Sequence, residues 1–262
     1  MCELFAMSSR IETTIRISMQ VLAQRGGATG LLGDGWGVGF YDGDDARIFR
    51  EPTAAADSAL AQFIASQTLR SRTVLSHLRH ATQGEVSLRN TQPFARELAG
   101  RMHLFAHNGR LPGVEARFAS SDDRFRPIGT TDSEVAFCVL MERVAKLWSR
   151  SLPPLADRLA VITQVAAELR TLGPANFLYA DGDAVFAHGH RRTQNDGRVV
   201  PPGLHVLTRA CAVDPDALAA SGVRLGDPQS VVLFASVPLT QEAWRKLDEG
   251  EIVVARDGAI VP

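Results

Sequence analysis

The order of patterned segments predicts an α+β fold in which antiparallel sheets carry a pair of helices over one face. Two observations carry that reading. Short strand-like runs come first, two helical stretches follow at 133–148 and 155–172, and strand-like runs then resume to the end. Those two stretches are separated only by a short segment holding Pro153-Pro154, which starts the second. At 262 residues and 45% hydrophobic the chain can bury a sizeable core. No linker, repeat or low-complexity stretch interrupts it, so residues 1–262 are read as a single domain.

Taken in order, Cys2-Glu3-Leu4-Phe5-Ala6-Met7 reads as a short buried strand. Residues 15–23 have near-helical apolar spacing and stop at Gly26-Gly27. Gly33-Asp34-Gly35-Trp36-Gly37-Val38-Gly39-Phe40-Tyr41 fits a strand that another segment or a ligand approaches closely. Residues 46–50 are its hairpin partner across Asp42-Gly43-Asp44-Asp45. Residues 57–69 form a helix with Ala59, Leu60, Phe63 and Ile64 on one face. Strands are expected at 73–78 and 102–106, each running into a polar, glycine-containing end. After the helix pair, strands follow at 177–180, 184–188, 204–208, 231–236 and 252–256, and Thr240 caps a short helix over 241–247.

Charge and cysteine content narrow the function. A net charge of −1 offers nothing to nucleic acid or an anionic membrane. No run of about 18 apolar residues occurs, so no membrane-spanning helix is expected. Glu3 inside the first apolar run, with no basic segment before it, argues against a signal peptide. Cys2, Cys138 and Cys211 are odd in number and widely spaced, which points to a reducing, cytoplasmic compartment.

Four stretches carry chemistry. Removal of Met1 leaves Cys2 with a thiol and a free α-amine on one residue, a nucleophile and a base together. His77-Leu78-Arg79-His80-Ala81-Thr82-Gln83-Gly84 ends a strand with an Arg fork suited to a carboxylate; an ordinary surface ion pair is the alternative. His107-Asn108-Gly109 offers a side-chain amide beside a glycine N–H, two donors for one oxyanion, or else a plain Asn-Gly turn. Gly129-Thr130-Thr131-Asp132-Ser133-Glu134 starts a helix with Thr131 or Asp132 as cap, and it also presents a carboxylate to a ligand ammonium.

Together with Gly35-Trp36-Gly37-Val38-Gly39, and in this order and spacing, these motifs resemble the glutaminase domain of the class II, N-terminal nucleophile glutamine amidotransferases. Ala235-Ser236-Val237-Pro238-Leu239-Thr240 and Gly250-Glu251-Ile252-Val253-Val254 look like the stand-alone, YafJ-type subgroup. His80 and Gln83 stand where better-known members often have Trp and His. The resemblance implies a four-layer αββα sandwich of two antiparallel sheets. It implies that Cys2 attacks the γ-amide, that Asn108 and the Gly109 N–H hold the oxyanion, that Arg79 and Thr82 take the substrate α-carboxylate, and that Asp132 takes its ammonium. No cofactor and no metal are called for. The substrate is a small molecule, glutamine or a γ-glutamyl compound, and a separate synthase subunit is a possible partner.

Other residues invite weaker readings. His103 and His107 are four apart on a strand, hence about 13 Å from each other. His188-Gly189-His190 lacks an evident third metal ligand. Cys138 reads as core, Asp181-Gly182 as a hairpin turn, and Arg191-Arg192 as facing either an acceptor or nothing.

Overall fold

The computed structural model describes residues 2–13, 33–117, 124–148, 151–194, 196–211 and 229–262. The helical expectation at 15–23 lies outside them. Strands β1 (Glu3–Thr13), β2 (Trp36–Asp42), β3 (Asp45–Glu51) and β4 (Ser71–Leu78) belong to one sheet. So do β11 (His205–Cys211), β12 (Gln229–Ala235) and β13 (Arg245–Lys246), and the order is β13-β11-β12-β1-β4-β2-β3. The second sheet runs β15 (Ala259–Val261), β14 (Ile252–Arg256), β8 (Val185–His188), β7 (Ala175–Ala180), β6 (Arg101–Gly109), β5 (Phe94–Leu98). The pairings in both sheets are antiparallel. A small ribbon of β9 (Arg192–Thr193) and β10 (Val199–Val200) stands apart.

Alternation along the strands divides the core into three layers. In β1, Leu4 and Ala6 face the second sheet, and Phe5 and Met7 face outward. In β6 and β7, Leu104, Ala106, Leu178 and Ala180 meet that inner face, and Phe105, Phe177 and Tyr179 point the other way. Both faces of these strands are covered, so the runs read as continuously apolar. Helix α1 (Ala59–Ser66) covers the first sheet with Ala61 and Ile64. A short α2 (Val114–Arg117) precedes α3 (Asp132–Ala145) and α4 (Leu155–Arg170), which cover the second with Phe137, Leu140, Met141, Ile162, Val165 and Leu169. The result is the expected αββα sandwich.

The glycines of β2 serve close packing. A Cβ on Gly37 would lie 2.2 Å from the Gln92 carbonyl oxygen, and one on Gly39 would lie 2.5 Å from Leu104 Cδ1. Two expectations need correction. Residues 57–69 form a shorter helix, because Ser58 caps it by accepting from the Ala61 N–H, leaving Asp57 in a preceding 3₁₀ turn. Residues 241–247 are not helical. Trp244 Nε1 donates to Thr240 Oγ1, and Arg245–Lys246 pairs with β11 as an edge strand, so strand pairing overrides the cap signal.

Candidate active site

Two strand ends, one from each sheet, bring the chemistry together. In the β1–β4 register Glu3 pairs with Leu78, so Cys2 lies across from Arg79. The His80 N–H donates to Cys2 Sγ at 3.4 Å. The β6–β7 register sets Asn108 against Asn176 and Gly109 against Ala175, so these residues extend a strand and do not form an Asn-Gly turn. Asn108 Nδ2 reaches across to donate to the Cys2 carbonyl oxygen at 2.7 Å. A Cβ on Gly109 would sit 1.8 Å from the Pro174 carbonyl oxygen, so only glycine fits there.

A cavity of about 380 Å³ opens at this junction. Cys2, Thr82, Asn108 and Gly109 line it, with His80, Arg110, Pro174, Arg191, Arg192, Thr193 and Val199. Arg79 and Asp132 lie behind that wall. Arg79 is 3% exposed; its Nη2 donates to the carbonyls of Gln83 and Gly84, and its Nη1 is buried without a partner. Asp132, equally buried, accepts from the Leu111 N–H at 2.7 Å and from Ser133 Oγ at 3.3 Å. Thr131, not Asp132, caps α3 by accepting from the Glu134 N–H.

Burial pushes the Cys2 thiol above its ordinary value, with the His80 N–H and the Arg79 charge opposing and Asp132 adding to the rise. Desolvation holds His107 below the usual imidazole range, against the pull of Asp132. His107 Nδ1 meets Ser133 Oγ at 2.8 Å, which links Asp132, Ser133 and His107 in one chain of contacts.

The remaining candidates have structural roles. His103 Nδ1 contacts the Tyr179 hydroxyl, and His188 Nδ1 contacts the Ala175 carbonyl oxygen. Cys138 is core, and Asp181-Gly182 makes the β7–β8 turn. Asp181 is also an anchor: Arg158, fully buried in α4, binds Asp181 and Asp183. Arg191 pairs with Glu249, and Arg192 Nη1 donates to the Ser236 carbonyl oxygen. Sequence reasoning passed over Arg110, although it directly follows His107-Asn108-Gly109. It also passed over Asn176, which carries no motif. Asn176 Nδ2 donates to the carbonyls of Asn108 and Arg191, and its Oδ1 accepts from the His190 N–H.

Over residues 1–262 the chain matches the sequence profile of the class-II glutamine amidotransferases. The chain belongs to that family. It is 37% identical to YafJ of Escherichia coli over 96% of both chains. A Haemophilus influenzae glutamine amidotransferase homologue is 33% identical over 98% of this chain and 85% of its own. The crystal structure of a predicted glutamine amidotransferase from Pseudomonas aeruginosa superposes with a TM-score of 0.70 at 32% identity, all of both chains being covered. At 16% identity and a TM-score of 0.62, a Bacillus subtilis phosphoribosylpyrophosphate amidotransferase shares the fold, with 99% of this chain covering 48% of that one. The amidotransferase chain is thus an enzyme of the N-terminal nucleophile type. Among its described residues no helix is long and apolar enough to cross a membrane.

Proposed function

We propose that this enzyme hydrolyses the γ-amide of glutamine or a γ-glutamyl compound through a γ-glutamyl thioester on Cys2. The observation that carries this reading is the meeting of Cys2 from one sheet with Asn108 and Gly109 from the other at one cavity. With Met1 removed, the Cys2 α-amine takes the thiol proton, and the thiolate attacks the amide carbon. Asn108 Nδ2 and the Gly109 N–H stabilise the oxyanion. The C–N bond breaks, the leaving amine takes the proton, and water releases glutamate from the thioester. Arg79, with one buried nitrogen unpartnered, receives the substrate α-carboxylate together with Thr82. Asp132, close enough to raise the thiol pKa, receives the α-ammonium.

Strands β7, β8 and β11 to β15 complete both sheets, which supports reading residues 1–262 as one glutaminase domain. The enzyme then works without ATP or a synthase subunit. The test is glutamate release from glutamine and a panel of γ-glutamyl amides by purified protein, with Cys2→Ala as control and hydroxylamine to trap the thioester as a hydroxamate. Turnover many times over, lost in the variant, is expected. Turnover only after a partner protein is added would assign the chain to a two-subunit synthase.

A further inference from the structure

His80 touches the nucleophile twice through its backbone and carries an imidazole that the reaction above leaves idle. Its N–H donates to Cys2 Sγ at 3.4 Å, and its carbonyl oxygen accepts from Sγ at 3.5 Å. The residue lines the cavity with a third of its side chain exposed. Ring Nδ1 is buried and lies 3.3 Å from Asp34 Oδ2, an ion-pair contact not yet aligned as a hydrogen bond. Nε2 is not enclosed and has no partner among the described residues. Asp34 is itself held on both sides of His80. Its Oδ2 accepts from the Ala81 N–H at 2.8 Å, and its own N–H donates to the Arg79 carbonyl oxygen at 3.3 Å. The segment entering β2 thus presents a fixed carboxylate to one ring nitrogen and leaves the other to the cavity.

We infer that His80, oriented by Asp34, is the general base that activates water for hydrolysis of the γ-glutamyl thioester on Cys2. This rests on the hydrolase reading above and adds a residue to its second half. A carboxylate at Nδ1 fixes the tautomer in which Nδ1 carries the proton and Nε2 accepts one. Nε2 takes a proton from water, and the water oxygen adds to the thioester carbon. The C–S bond breaks, and the imidazolium returns its proton to the departing sulfur. The second hydrogen of the water leaves with the new carboxyl group, and Cys2 is a thiol again. The α-amine serves the first half, in which the thiol loses its proton and the amine departs.

The test separates the two half-reactions in His80→Gln, with glutamine or γ-glutamyl-p-nitroanilide as substrate. Release of ammonia or nitroaniline reports acylation, and release of glutamate reports hydrolysis of the thioester. Glutamate release should fall by about 10²-fold or more, the usual scale of a lost general base. The first turnover of amine should keep its wild-type rate, so a burst equal to the enzyme concentration precedes the slow phase. Hydroxylamine, which attacks without that base, should restore steady amine release and collect the glutamyl group as hydroxamate. Asp34→Asn, which can still accept from the Ala81 N–H, should slow the same half-reaction and spare the burst. Glutamate release at the wild-type rate in His80→Gln overturns the inference and leaves the step to the α-amine. Equal slowing of both half-reactions, without hydroxylamine rescue, overturns it too, because that marks a residue that merely holds Cys2 in place. Unchanged hydrolysis in Asp34→Asn overturns the orienting role of Asp34. Wild-type enzyme that forms neither glutamate nor hydroxamate from either substrate overturns the hydrolase reading itself.

Discussion

Asn108 spans the gap between the sheets with one side chain, and its amide already points at Cys2. In the proposed reaction truncation to Ala removes one donor to the oxyanion, so turnover of Asn108→Ala should fall by about 10²–10³ with KM little changed. Steady-state kinetics on glutamine or any accepted γ-glutamyl amide checks this, and wild-type turnover would show that the amide serves only to hold the chain. Arg79 poses a different question. Its Nη2 is committed to the Gln83 and Gly84 carbonyls, and its Nη1 is buried without a partner and can meet a ligand. Lysine keeps the charge but cannot serve both ends. Arg79→Lys should therefore raise KM about tenfold or more, the loss of one charge-assisted bond. An unchanged KM would move the carboxylate site elsewhere. At this scale Cys2, Arg79, Thr82, Asn108, Gly109 and Asp132 could be named as candidates because each sits in a short motif, and the strand ends bring Cys2, Thr82, Asn108 and Gly109 to one cavity with Arg79 and Asp132 behind it. Asn176 was not, because a buried asparagine that joins two carbonyls has no local pattern; its partners lie 68 and 15 residues away.

Among the elements, β2 shows how strongly packing constrains a glycine. Adding a methyl at Gly37 restricts the unfolded chain and on that account stabilises by about 0.4–1 kcal/mol. The same methyl would meet a backbone carbonyl at 2.2 Å, and backbone cannot turn aside as a side-chain tip can. Overpacking of this kind costs about 1–3 kcal/mol or more, so the clash wins. Gly37→Ala should lower the melting temperature by several degrees, at about 2–4 °C per kcal/mol for a chain this long. Calorimetry that showed an equal or higher midpoint would contradict the packing described. The glycine spacing announced the close approach, but not what approaches, because the Gln92 carbonyl arrives from a segment with no periodicity. Strand β5 escaped notice for a related reason: its alternation is broken by Ala95, Arg96 and Glu97, and pairing with β6 decides its conformation. The failed helix at 241–247 is the converse case, a good local cap signal overridden by an open sheet edge.

At the scale of the whole molecule, burial sets the response to acid. Desolvation holds His77, His103 and His188 down to about 3. In the unfolded chain each titrates near 6.5. Between those values the unfolded chain binds protons that the folded one refuses, so stability falls as pH drops through the window. Asp181, pushed up by burial, works in the opposite direction, against these three imidazoles and against His107, His190 and His205, which desolvation also lowers. Urea unfolding should show lower stability at pH 4 than at pH 7, by on the order of a few kcal/mol in all. Equal stability at both would mean that the imidazoles find proton partners inside the fold. A second whole-chain prediction concerns processing. Mass spectrometry of active enzyme should find Met1 removed, and full activity with Met1 in place would deny the α-amine its part. Antiparallel sheets with a helix pair over one face were legible in the order of patterned segments, and the stacking of two sheets came from the family resemblance. The division of strands between sheets was not, since β12 joins β1 from more than 200 residues away.

Asn176 has one further consequence. Its amide group ties the Asn108 carbonyl on one side to the backbone of His190 and Arg191 on the other. A Cβ on Gly203 would fall 1.5 Å from its Oδ1, so only glycine leaves room for this side chain there. One amide side chain therefore fastens the end of β6 to the segment entering the β9–β10 ribbon, as a rivet fastens two plates.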